Sequence, residues 1–105
     1  AAAVLAGWIA AERPDVVLAP ATAFGRDLLP RVAARLRLGL TGDCIDVGFD
    51  GDGRLVQYKP ALGGQVLAPV LSRTRPQMAT VRPGMLPPPV ATPGRPTRHL
   101  RPAIE

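Results

Sequence analysis

The sequence predicts an α/β fold: a partial, open, mostly parallel sheet with flanking helices and a β-hairpin, followed by a disordered Pro/Arg-rich tail. Three observations carry this. Asp15-Val16-Val17-Leu18-Ala19 is a short apolar run that suits a strand covered on both faces. It passes through Pro20 and a Gly-containing turn into a segment where Leu29, Val32, Ala33 and Leu36 recur at helical spacing. Strand, tight turn and amphipathic helix make half of a βαβ crossover. Second, Asp50-Gly51-Asp52-Gly53 is a strong turn signal between two strand-like runs. Third, seven of the 23 residues from Pro83 onward are proline, so this end lacks both amide donors and apolar side chains.

Taken in order, Ala1 to Arg13 reads as a helix with Val4, Leu5, Trp8 and Ile9 on one face and Trp8 as its core anchor. Arg13-Pro14 closes it, because a residue before proline avoids the α region. In the next helix Pro30 belongs in or near the first turn, where donors are unpaired anyway, which places the helix start at Arg26 or Asp27. Leu38-Gly39 supplies a glycine stop. Cys44 to Phe49 and Arg54 to Lys59 are the two arms of the hairpin, and Pro60 to Gly64 is a loop. Gln65 to Leu71 makes another strand, with Pro69 marking an edge or an end. Gln77 to Val81 is the last strand, and Arg82-Pro83-Gly84 is a turn or exit. The expected division is a domain over 1–85 and a tail over 86–105.

With 105 residues the chain holds one domain, and with only four Phe, Trp or Tyr its core is built from Ala, Val and Leu. The net charge of +5 is spread rather than concentrated. No basic stripe with interleaved aromatics marks a nucleic-acid binder. No apolar run approaches the roughly 20 residues needed to span a bilayer, and no basic n-region marks a signal peptide, so a soluble, cytoplasmic protein without membrane insertion is expected. The single cysteine, Cys44, makes no internal disulfide and reads as a small buried hydrophobe. One Cys and one His (His99) form no metal-ligand cluster.

The candidate site is the turn from Ala21 to Arg26. Backbone N–H groups and the helix dipole converge at such a strand-to-helix junction, which makes Thr22, Gly25 and Arg26 the candidates for an anion or nucleotide phosphate. The loop is neither GxxxxGK[ST] nor GxGxxG, and its one glycine favours a structural turn. Gly63-Gly64 reads as a flexible connection. The acidic group Asp43, Asp46, Asp50 and Asp52 lacks the closing Glu of an EF-hand and reads as a solvated hairpin. His99, Ser72 and Thr74 stand in no catalytic setting, so no enzyme is expected.

Four ordered blocks add a resemblance over about Asp15 to Met85: P-A-T-A-F-G-R-D-L-L-P-R-V-A-A-R-L, G-L-T-G-D-C-I-D, K-P-A-L-G-G-Q and M-A-T-V-R-P-G. Together they resemble the amino-terminal domain of the electron transfer flavoprotein α subunit. The resemblance implies an α/β domain that docks with a β subunit, in a heterodimer passing electrons from flavin dehydrogenases to an acceptor. Some members of the family bifurcate electrons from NADH with a second FAD. It also implies that FAD is held mainly by a carboxy-terminal domain following V-R-P-G, so that this chain alone binds none. By position, Phe24-Gly25-Arg26-Asp27 corresponds to the strand-to-helix turn, Lys59-Pro60-Ala61 with Gly63-Gly64 to the R/K-P-x-x-G-G/N segment, and Val81-Arg82-Pro83-Gly84 to the domain exit. Thr92 to Glu105 lies outside the resemblance, and the family's first strands precede Ala1, so an incomplete α subunit is expected. The competing readings are a stand-alone nucleotide-binding α/β module using the 21–26 turn and a contact made through the Arg/Pro tail.

Overall fold

The structure, a computed structural model, describes residues 1–99. Its elements are α1 (Ala2–Glu12), β1 (Val16–Pro20), α2 (Ala23–Leu36), β2 (Leu40–Cys44), β3 (Asp46–Phe49), β4 (Leu55–Ala61), a 3-10 turn (Leu62–Gly64), β5 (Val66–Leu71) and β6 (Gln77–Val81). The strands form two sheets. One is parallel, in the order β1-β6-β2, and the other is antiparallel, in the order β3-β4-β5. The predicted fold class stands, with the hairpin enlarged into a three-stranded sheet of its own.

The parallel sheet is centred on the last strand. Val17 of β1 lies opposite Met78 of β6, and Leu40 of β2 lies opposite the same residue. Met78 is fully buried and belongs to one cluster with Ala2, Ala6 and Ile9 of α1 and Leu29, Val32 and Ala33 of α2. Both helices therefore pack over the Met78 face of the sheet. The other face carries Thr41, whose hydroxyl donates to Gln57 Oε1 of β4 at 2.9 Å. Gln77 Oε1 accepts from the Leu55 N–H at 2.9 Å, and Gln57 Nε2 donates to the Leu55 carbonyl at 2.8 Å. A buried polar network thus ties the central strands of the two sheets together, leaving Gln77 Nε2 without a partner among the described residues.

Several elements differ from the sequence expectation, each for a local reason. The run from Cys44 to Phe49 is two strands, not one. Asp43 adopts φ 56 and the β2–β6 register shifts between Thr41 and Cys44. The Cys44 carbonyl then accepts from Arg82 in one sheet, while the Ile45 N–H donates to Tyr58 in the other. A single peptide unit thus passes between sheets. The Asp50–Gly53 turn forms as expected, with Asp50 Oδ1 accepting from the Asp52 and Arg54 amides, both at 2.9 Å.

Helix α2 starts at Ala23, ahead of the expected Arg26 or Asp27, because Thr22 caps it; Pro30 consequently lies inside the helix. The lost amide is tolerated because Pro30 is on the exposed side, away from the buried Gly25, Leu29, Val32 and Ala33. The stop falls at Arg37, which takes φ 57, with Leu38 N–H bonded to the Ala33 carbonyl at 2.8 Å; Gly39 is not the stop and instead donates to Thr74 Oγ1.

In α1 the buried positions are Ala2, Ala6 and Ile9, and Trp8 is only half-buried, packing at the margin of the core cluster. A helix this uniformly apolar does not reveal its inner face by pattern, and the close approach to α2 selects the small alanines. Strand β4 continues through Pro60 to Ala61, shortening the expected 60–64 loop, because both residues still pair with β5. Strand β5 is one continuous edge strand through Pro69. Residues 83–99 contain no helix or strand and are exposed; the part of the expected tail from 100 to 105 lies outside the described residues.

Candidate functional site

The carboxyl ends of β1, β6 and β2 define one edge of the parallel sheet, the edge at which open α/β sheets bind ligands. Thr22, Gly25 and Arg26 all lie there, at the junction of β1 and α2. Thr22 is extended at φ −81, ψ 173, and its Oγ1 accepts from the Gly25 N–H at 3.3 Å. The Arg26 N–H donates to the Thr22 carbonyl at 2.8 Å, and the Ala21 N–H to Val81 at 2.7 Å. Of the amides at this helix start, those of Gly25 and Arg26 are thus bonded within the chain.

Gly25 has a different task from the glycines of a phosphate loop. A Cβ here would collide with the Pro20 carbonyl oxygen and lie 3.2 Å from its carbon. The bare Cα faces the preceding strand and lets α2 close down on β1. It does not face outward, where a pyrophosphate would approach. Arg26 is exposed and, with Lys59, sits near enough to add a favourable field at the Asp43 carboxylate.

Asp43 and Arg82, neither singled out as site residues from the sequence, form the best-defined polar feature of this edge. Arg82 Nε donates to Asp43 Oδ1 at 3.2 Å and Nη2 to Oδ2 at 2.8 Å, a two-point fork. That hydrogen bonding, foremost, holds the Asp43 carboxyl below its ordinary 3.8 and raises the Arg82 guanidinium above its own. A shallow groove of about 370 Å³ runs alongside, lined by Leu18, Ala19, Pro20, Val81, Arg82 and Pro83. The signal for this pair was present in the quoted blocks G-D-C and V-R-P-G, but 39 residues separate the partners and only the β2–β6 pairing joins them.

The remaining candidates do not come together. Asp46 accepts from its neighbour Val47, Asp50 organises the hairpin turn, and Asp52 is held only loosely by Arg54 at 3.9 Å. Gly63 and Gly64 take φ 68 and 87 in the exposed 3-10 turn, with open space around them. His99 lies exposed in the tail. Cys44 is buried, its thiol donates to the Thr80 carbonyl, and burial pushes its pKa up, which is the profile of an inert core thiol. Among the described residues no group of three or more His, Cys, Asp or Glu converges as metal ligands, and no helix is long and apolar enough to cross a membrane.

Comparison with known proteins accounts for this combination of blocks. The family model of the electron transfer flavoprotein domain matches residues 1–101. The electron transfer flavoprotein subunit alpha of Thermoanaerobacterium thermosaccharolyticum is 49% identical over 75 residues, covering 70% of this chain and 23% of that protein. The subunit alpha of Megasphaera elsdenii is 45% identical over 94 residues, covering 88% and 28%. Protein FixB of Rhizobium meliloti is 42% identical over 95 residues, covering 90% and 26%. The chain thus spans about a quarter of the length of these relatives. The family match also continues past Thr92 to residue 101, correcting the expectation that the family sequence stops before Thr92. A Pro-rich segment without periodic core positions offers no short block to read. By both measures the chain belongs to the electron transfer flavoprotein family.

Proposed function

We propose that the chain is the piece of an electron transfer flavoprotein α subunit that docks with the β subunit, in a system that shuttles electrons from flavin dehydrogenases to an acceptor. The observation that carries this reading is the family match over 1–101, together with relatives named as α subunits at 45–49% identity. On this reading residues 1–85 are the docking unit and 86–105 a tail outside it. The chain's role is that of a carrier subunit with no catalytic constellation of its own.

The family is one of flavoproteins, and the residues described here do not fit the FAD it implies. The one glycine-bearing strand-to-helix turn among the described residues is closed against Pro20, which bars the close backbone approach of a pyrophosphate at Gly25, and Thr22 takes up the Gly25 and Arg26 amides. The flavin of the intact protein is accordingly assigned to sequence outside this chain. The same closure at Gly25 weighs against a stand-alone nucleotide-binding module using the 21–26 turn. Exposed apolar side chains such as Phe49, Leu67 and Leu71 leave surface that an assembly would cover.

Co-expression with a cognate β subunit, followed by purification and a visible absorption spectrum, tests the proposal. A stable 1:1 complex is expected, unaffected by deletion of 86–105 and lacking the absorbance of an α-subunit flavin. A chain that is folded by circular dichroism but fails to associate overturns the docking role. Stoichiometric flavin in the purified chain overturns the assignment of the cofactor elsewhere.

A further inference from the structure

We propose that the Asp43–Arg82 pair is a latch that sets the direction in which the polypeptide leaves the parallel sheet. Arg82 is the first residue after β6, and it is held three times over. Its N–H donates to the Cys44 carbonyl at 2.8 Å, and its guanidinium makes the two bonds to Asp43. Beyond it, residues 83–99 make no hydrogen bond to residues 1–82. Pro83 has no amide to give, and Gly84 at φ 79 takes a conformation that turns the chain freely. Arg82 is therefore the last hydrogen-bonded tie, among the described residues, between the folded body and the segment that follows.

An ordinary surface ion pair would explain little, since most contribute almost nothing and bend to solvent. This one is built differently. Asp43 is a non-glycine residue held at φ 56, a conformation that side-chain-bearing residues adopt at a cost. It is locked there by its N–H donating at 2.8 Å to Thr80 Oγ1, a hydroxyl on a residue only 2% exposed. The β2 bulge and the buried Thr80 thus aim the carboxylate at Arg82 before the two meet. The fork restricts the guanidinium to one plane, which a lysine's single-point contact would not do. Strand β2, with no sequence proximity to the exit, fixes it from the side. The latch belongs to the chain by itself and holds independently of the docking role.

The test uses the 15N-labelled 105-residue chain, reading amide exchange at Arg82 and backbone order at Gly84, Met85 and Leu86 by heteronuclear NOE. Asp43→Asn and Arg82→Gln should each speed exchange at Arg82 by about two- to fivefold and drop the order of 84–86 to that of the distal tail. Ala79, inside β6, should be unchanged. The double variant should be no looser than either single one, because each removes the same interaction. Raising the salt of the unaltered chain to about 1 M, where the Debye length is about 3 Å, should loosen the exit in the same way. Unchanged order at 84–86 in both variants and in salt overturns the latch. Equal loosening at Ala79, or variants that fail to fold, also overturns it, because the pair would then be a support of the sheet and not of its exit.

Discussion

Gly25→Ala is expected to cost the fold about 3 kcal/mol or more. The added methyl meets the Pro20 carbonyl, which is backbone at the end of a strand bonded along its length to β6. A flexible side chain would swing aside; a carbonyl at this position moves only if α2 lifts off β1. Lifting α2 separates Leu29, Val32 and Ala33 from Met78 and from α1, which dismantles the one core cluster of the parallel sheet. Overpacking ordinarily costs about 1–3 kcal/mol, and a clash with backbone lies at or beyond the upper end. Against a total stability on the order of 5–15 kcal/mol, that is a large share. Gly7→Ala is the matched control. Its Cβ meets nothing within 4 Å, and replacing an exposed mid-helix glycine should stabilise by about 0.5–1 kcal/mol. Urea titration of the two variants reads the contrast. A Gly25→Ala midpoint equal to that of the unaltered chain would mean that α2 is not seated on β1 as described.

Met78→Ala carries the second large effect. Met78 is fully buried in the central strand, opposite Val17 on one side and Leu40 on the other, with both helices above it. Truncation removes the only long side chain that the central strand sends to this core. The alanines of α1 and α2 cannot reach into the space, so a cavity persists. The expected cost is about 2–5 kcal/mol, while the volume-conserving Met78→Leu should cost less than about 1.5 kcal/mol. Denaturant midpoints at constant slope measure both. A loss below about 1 kcal/mol for the alanine variant would show that the core collapses onto the gap.

How far the sequence alone reached is clear from these same residues. The βα unit was legible because an apolar run, a proline, a glycine and a helical stripe all point the same way over Val16 to Leu36. The hairpin was legible because Asp50 to Gly53 is turn chemistry with little ambiguity. The division between β2 and β3 was not, because Cys44 and Ile45 change sheets inside an unbroken strand-like run, and the cause is the bulge just before them, with Asp43 at positive φ. The start of α2 was misplaced because a general rule about Pro30 outweighed the Thr22 cap; an exposed proline can sit mid-helix when the buried face is intact. At the candidate site, the strand-to-helix turn was found in the right place, but its glycine serves packing. The Asp43–Arg82 fork is tertiary, and only the pairing of β2 with β6 brings its halves together.

The central position of β6 has a consequence for how the chain is made. Among the described residues strands β1 and β2 pair with β6 and not with each other, so neither can make that pairing until Gln77 to Val81 has been synthesised. The antiparallel sheet, whose strands are consecutive, can zip as it emerges; the parallel one waits for Gln77 to Val81 to insert between two strands made well before it. Until β6 is made, the nascent segment therefore leaves open the strand edges and the helical face that β6 will cover. That interval is the one in which a chaperone, or a neighbouring nascent chain, finds something to hold.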